Sequence, residues 1–353
     1  MDTSVVINTS SLSGNYRYFA KNTKSRVICV VKSDAYGHGL RPVVRALVGA
    51  GARHFAVATL KDAARLLFDD VGQTVINLSH PEQSFRPVLL DSRVVQSVYS
   101  LDLARDLDCF ARAHGKRIKC HLKIDVGMGR LGFHFKDGMA DALKVFDFKN
   151  LSIIGLYAHF SSAFYPKSQS TINQYDSFLQ AKNALLPYFK QKPFTHIGST
   201  SAFFNFNGLI CEDGIRIGMG LYGYNGSFPS PWLTPVMTLR SRLIHLYDAK
   251  SPFTVGYGGT ILPPQVKRVG VLPVGYYNGL FLDDNFTVDV NGVLCKIVGK
   301  ACMNHCMIDL TDACCKVGDA VTLFGPDKPI LNGHTYDTLC LAGRLNKRSF
   351  LSG

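Results

Sequence analysis

Lys32 directly follows an apolar run, Val27–Val31, and precedes a turn-rich stretch, Ser33-Asp34-Ala35-Tyr36-Gly37-His38-Gly39. An amine at the end of a buried strand is partly desolvated. Desolvation disfavours the ammonium form, so such a lysine can act as a nucleophile or a base. The same pattern also suits a lysine that snorkels from a strand end into water. Cys302, His305 and Cys306 are metal-ligand residue types in close succession. No CxxC pair and no second motif completes a four-coordinate site, so thiols are expected there and no metal. Glutamate occurs only at Glu82 and Glu212, which argues against a hydrolase built on paired glutamates.

These groups need a scaffold. The chain has 353 residues, 46% hydrophobic and 18% charged, enough for a sizeable core. Between residues 27 and 225, short β-rich runs alternate with helical patterns. Strands are expected at Val27–Val31, His54–Ala58, Thr74–Leu78, Val94–Val98, Ile118–Ile124, Ser152–Ala158, Phe194–Ile197 and Gly214–Ile217. In Leu101–Ala113, the residues Leu101, Ala104, Leu107, Phe110 and Ala111 recur at helical spacing. Eight such units in about 200 residues fit an α/β fold of the (β/α)8 barrel type, which places chemistry at the C-terminal ends of its strands. An open, doubly wound sheet is the alternative, but no G-x-G-x-x-G follows an early strand.

Gly226, Pro229 and Pro231 mark a break. Beyond it, strands are read at Val236–His245, Val269–Pro273, Phe286–Val290, Leu294–Val298, Cys306–Leu310 and Ala320–Phe324, with a helix at Tyr336–Leu345. The expected division is a barrel over residues 1–230, its first residues pairing with the other domain, and a mainly β domain over 231–353.

Lysine plus arginine is 39 and aspartate plus glutamate 26, a net charge of +13. The basic residues are scattered, so nucleic acid is not an expected partner. A diffuse surplus suits small anions such as phosphate or carboxylate. No apolar run approaches the ~20 residues of a membrane span. The start, Met1-Asp2-Thr3-Ser4-Val5-Val6, has no basic region followed by an apolar one. A cytoplasmic protein with ten reduced, mostly buried cysteines is therefore expected.

The Lys32–Gly39 segment resembles the cofactor motif of the alanine racemases, enzymes that depend on pyridoxal phosphate (PLP). The resemblance continues in order through Lys123-Ile124-Asp125-Val126-Gly127-Met128-Gly129-Arg130, Ala158-His159-Phe160, His196-Ile197-Gly198-Ser199-Thr200 and Arg216-Ile217-Gly218-Met219-Gly220. It resumes at Val255-Gly256-Tyr257-Gly258-Gly259, Pro273-Val274-Gly275-Tyr276 and Gly299–Met307.

The resemblance implies a homodimer of two-domain subunits that interconverts L- and D-alanine, supplying D-alanine for peptidoglycan. Lys32 would hold PLP covalently and act as the base on one face of the substrate Cα. Tyr257 of the partner subunit would serve the opposite face, because inversion needs reprotonation from the other side. Arg216 would face the pyridine nitrogen, and Tyr36, Ser199, Thr200 and the backbone N–H groups of Gly218 and Met219 would contact the phosphate. His159 would pack behind the ring. Arg130 would reach the cofactor's phenolic oxygen or the substrate carboxylate, and Lys123 takes the place of a carbamylated lysine that supports it. Met303 would offer its N–H to the carboxylate, and Tyr276 would line the entrance. The sequence departs from the family at Asn304 (usually Asp), Ser199 (usually Asn) and Gly343 (Tyr in some members). Gly343 suggests a roomier pocket. Racemisation of serine or another small amino acid is the alternative on the same fold, and a PLP-binding protein without turnover is the alternative of another class.

Overall fold

The computed structural model describes residues 3–68, 72–206, 208–210, 212–226, 228–250, 252–282, 285–330 and 333–352. They divide into two compact units, one formed by residues 16–33 and 44–221 and the other by the rest.

The first unit is a closed barrel of eight parallel strands: Arg26–Val30, His54–Val57, Thr74–Asn77, Val94–Val98, Ile118–Asp125, Leu151–Tyr157, Phe194–Ser199 and Gly214–Ile217. The ring closes where Gly214–Ile217 pairs with Arg26–Val30, with Arg216 level with Ile28. All eight strands expected from the sequence are present. Strands of a closed parallel barrel are covered on both sides, and all five residues of Val94–Val98 are buried, Gln96 and Ser97 included. On the outside, the helix Leu101–Ala113 buries Leu103, Ala104, Leu107 and Ala111. These residues share a core with Ile118, Cys120, Leu122 and Ile124 of the Ile118–Asp125 strand. Ser100 starts that helix by accepting the Leu103 N–H.

Side chains alternate along a strand, so His121, Lys123 and Asp125 share the opposite, interior face. The interior is polar. Ser97, His121, Lys123, Tyr157, His196 and Arg216 are all buried there. Buried polar groups need partners. Tyr157 Oη donates to Ser97 Oγ at 2.7 Å, and Ser97 Oγ donates to the Asn77 carbonyl at 2.7 Å.

The second unit is built on a nine-stranded, mostly antiparallel sheet. Its strand Ser4–Asn8 lies antiparallel to Met237–Arg242 and parallel to Lys347–Leu351. The run Val236–His245 is not one strand but two, Met237–Arg242 and His245–Asp248. Between them the Leu243 and Ile244 N–H groups turn to Asp319 O and Val271 O. The partner accordingly changes from Ala320–Phe324 to Arg268–Leu272.

Of the ten cysteines, Cys211 lies outside the described residues. The other nine are free, but only Cys29, Cys120, Cys295 and Cys306 are buried, while Cys109 and Cys314 are exposed. The expectation of mostly buried thiols therefore fails, because two of the nine are exposed and Cys302, Cys315 and Cys340 are only half-buried. Among the described residues, no helix is long and apolar enough to cross a membrane. Among them, too, no three His, Cys, Asp or Glu side chains gather as a metal site would require.

Candidate active site

Lys32 follows the first barrel strand and is half-buried. The four residues after it, Ser33, Asp34, Ala35 and Tyr36, have φ of 56, 54, 55 and 52°. A left-handed turn of non-glycine residues costs roughly 1–2 kcal/mol per residue. Such strain survives only where the surroundings over-determine it. The Asp34 carboxylate accepts the Leu40 N–H at 2.9 Å and pairs with Arg348, which also donates to Gly37 O at 3.0 Å. The Gly39 N–H donates to Asp34 O at 2.9 Å and the His38 N–H to Ala35 O at 3.0 Å. Burial pushes His38 down to about 4, so its ring is neutral and Nδ1–H donates to Tyr36 O at 2.9 Å.

Gly37, with φ 80°, lies against the backbone of Leu339, Cys340 and Gly343, and a Cβ on either Gly37 or Gly343 would overlap the other's backbone or its neighbours. Gly343 therefore marks close packing. The roomier pocket expected from the missing tyrosine is not opened at this position, because the Gly37 backbone already fills it.

Within the barrel, the charges of Lys32, Lys123, Arg130 and Arg216 all act on one another or on His159. Burial lowers Lys123 to about 8; Arg130, Arg216 and Lys32 push the same way, and Asp125 opposes them. Burial pushes the Asp125 carboxyl up, yet four backbone N–H groups carry it below the ordinary carboxylate range. They come from Gly127, Met128, Gly129 and Arg130 at 2.8 to 3.1 Å. Gly127 and Gly129 supply the positive φ, 120 and 67°, that wraps the chain around the carboxylate. Asp125 thereby fixes the turn that presents the exposed side chain of Arg130.

Arg216 is buried between two imidazoles. Nη1 lies 2.6 Å from His196 Nδ1, and Nη2 lies 2.9 Å from His159 Nδ1 and 2.8 Å from Ala158 O. Burial lowers Arg216 to about 10, which leaves it charged at neutral pH. Burial, then the Arg216 charge, hold both histidines well below their usual value, so both are neutral. A guanidinium only donates, so each imidazole must present a bare Nδ1 to it. Among the described residues Nε of Arg216 has no hydrogen-bond partner, which leaves one N–H for a ligand.

Ser199, Thr200, Gly218 and Met219 come together at the ends of the seventh and eighth barrel strands. Thr200 Oγ1 accepts the Gly218 and Gly220 N–H groups, each at 3.2 Å. Loops after these two strands are the usual phosphate site of this architecture.

The remaining candidates belong to the second unit. Tyr257 is 71% exposed at the tip of the hairpin Thr254–Val255/Thr260–Ile261. Three glycines, Gly256, Gly258 and Gly259, hold positive φ around it. Tyr276 and Met303 are neighbours, since the Tyr276 N–H donates to Cys302 O and the Tyr277 N–H to Met303 O; both side chains are exposed. Tyr36 is buried 5.0 Å from the Tyr222 ring, and burial raises its pKa.

Reading the sequence residue by residue missed Asp34, Arg348, Asp125, His121 and His196 as supporting groups. Alternation along the Ile118–Asp125 strand was the available signal for two of them, because it puts His121 and Asp125 on the face of Lys123.

Residues 7–226 match the family model described as alanine racemase, N-terminal domain, and residues 236–344 match alanine racemase, C-terminal domain. The chain belongs to the alanine racemase family. Such enzymes are amino-acid racemases, and so is this one. It is 30% identical to an alanine racemase of Clostridium novyi, over 98% of this chain and 94% of that protein. It is 31% identical to one of Clostridium tetani, over 86% and 81% of the two. Among solved structures, the alanine racemase of E. faecalis superposes with a TM-score of 0.85 at 26% identity, over 99% of this chain and 98% of that one.

Proposed function

We propose that this racemase interconverts L- and D-alanine in the cytoplasm with PLP as cofactor, working as a homodimer and supplying D-alanine for peptidoglycan. The observation that carries the reading is the held guanidinium of Arg216, with its single remaining N–H, in the same barrel as Lys32. The donor set fits PLP. A permanently charged donor suits an unprotonated ring nitrogen, the four cations suit an anionic ligand, and Ser199, Thr200 and the Met219 N–H suit its phosphate, while the Gly218 N–H is taken by Thr200 Oγ1.

When bound, PLP supplies an electron sink that makes a substrate's Cα proton removable. Lys32 Nζ takes or returns that proton on one face. The phenol oxygen of Tyr257 of the partner subunit does so on the other. The exposure of Tyr257 within its own chain supports a role in a neighbour's site. Arg216 would donate to the ring nitrogen without giving up its proton, which would temper the sink and limit side reactions such as transamination. Arg130 and the Met303 N–H orient the substrate carboxylate.

Lys123 supports Arg130 after carbamylation, in which its neutral amine forms an N–C bond to CO2 and releases one proton. Its folded pKa of about 8 lies below the unfolded 10.5. The ammonium form therefore costs stability at pH below about 8, and the cost fades as pH rises from there toward 10.5. Protein equilibrated with 13C-bicarbonate near pH 8.5 (about half a unit above that pKa) should show one carbamate carbon resonance that Lys123→Arg removes. Retention of that resonance in the variant would reassign it.

The deciding experiment measures D-product from L-alanine and L-serine with PLP-saturated protein. kcat/KM should favour alanine by about tenfold or more. A preference for serine would move the substrate, and no turnover of either would end the racemase reading.

A further inference from the structure

We infer that His121 is a positioning residue which, by accepting from His196, stabilises the His196 tautomer that receives Arg216 and so holds the guanidinium in its orientation. The inference rests on the reading above only in giving Arg216 a ligand to serve.

Three groups form a line through the barrel interior. Arg216 Nη1 lies 2.6 Å from His196 Nδ1, and His196 Nε2 lies 3.0 Å from His121 Nδ1. All three are buried, at 5%, 0% and 3% exposure. A guanidinium has no lone pair to offer, so His196 Nδ1 must accept. A neutral imidazole has one N–H, so His196 carries it on Nε2 and donates to His121. His121 must then accept on Nδ1 and carry its own proton on Nε2. The line has one permitted direction: Arg216 demands a bare Nδ1 on His196, and His121 stabilises that tautomer by accepting the Nε2–H.

The surroundings are built for this contact. Gly155 stands opposite His121 in the neighbouring strand, and a Cβ there would overlap the His121 ring. The Tyr157 ring stacks on His196 at 4.7 Å and 13°, which fixes the plane of that imidazole. What stacking cannot fix is which nitrogen bears the proton. Without an acceptor at His121, His196 gains nothing from a proton on Nε2. A proton on Nδ1 would then face the Arg216 donor and push the guanidinium out of place.

Nitrogen-15 NMR of the PLP-loaded protein labelled in histidine reads the proton on each ring nitrogen, without substrate. Wild-type His196 should have Nδ1 bare and Nε2 protonated; a proton on Nδ1 overturns the inference. His121→Leu should mix the two tautomers and lower kcat about tenfold with little change in KM. His121→Asn offers an amide oxygen near the lost Nδ1 and should restore both the tautomer and most of kcat. A wild-type tautomer in the Leu variant, or an Asn variant no better than Leu, also overturns the inference. If the Leu variant does not fold, the wild-type and Asn measurements decide. Turnover of alanine by the wild type tests the racemase reading separately.

Discussion

Lys32→Ala should lower kcat on the order of 10⁴-fold or more, because under the proposed roles it would remove both the covalent attachment of the cofactor and one of the two bases. Folding should change little, since the side chain is half-buried at a strand end. Lys32→Arg sharpens the test. It keeps the positive charge, but a guanidinium does not deprotonate near neutral pH and cannot attack an aldehyde. Its activity should be as low as that of the alanine variant. The rival amine is Lys123, also buried in the barrel and lowered to about 8. Borohydride reduction followed by peptide mapping separates the two. The label should fall on Lys32, and a label on Lys123 would exchange the assigned roles of the two lysines.

Much of this arrangement is legible in the amino-acid sequence because buried parallel strands announce themselves as short apolar runs. Val27–Val30 and Phe55–Val57 do so most plainly, Ile118–Asp125 shows instead as an apolar/polar alternation, and the barrel then places Lys32, Lys123 and Arg216 by strand position. What is not legible depends on long-range contact. Lys347–Leu351 is a largely exposed strand with no apolar face, and it exists because Ser4–Asn8 offers it a ladder. The left-handed turn at Ser33–Tyr36 contains no glycine. Its conformation is held by Arg348, far along the chain, so local propensity could not reveal it. The contact of His121 with His196 depends on the register of the three adjacent strands that carry them and Gly155, and on the lack of a side chain at Gly155. Gly343 gives the opposite lesson. A glycine compared with a tyrosine reads as lost function, yet its neighbours make it a packing requirement.

Tyr257→Phe should reduce racemisation by roughly 10²–10⁴-fold, the usual value of a positioned acid–base group, while sparing proton exchange on one face. The substitution removes only the hydroxyl, and the glycine-flanked hairpin tip keeps its ring. In D2O, one enantiomer of alanine should still gain deuterium at Cα with retention through Lys32, while the other loses exchange. Equal loss for both enantiomers would contradict the two-base scheme. The same variant reports whose phenol is used. If each site combines Lys32 of one subunit with Tyr257 of the other, a mixed dimer of Lys32→Ala and Tyr257→Phe protomers has one intact site and one doubly damaged site. Random reassociation of equal amounts makes half the dimers mixed, so about one quarter of wild-type activity should return from two nearly inactive parents. If each subunit used its own tyrosine, every site in every dimer would carry one defect, and mixing would restore nothing.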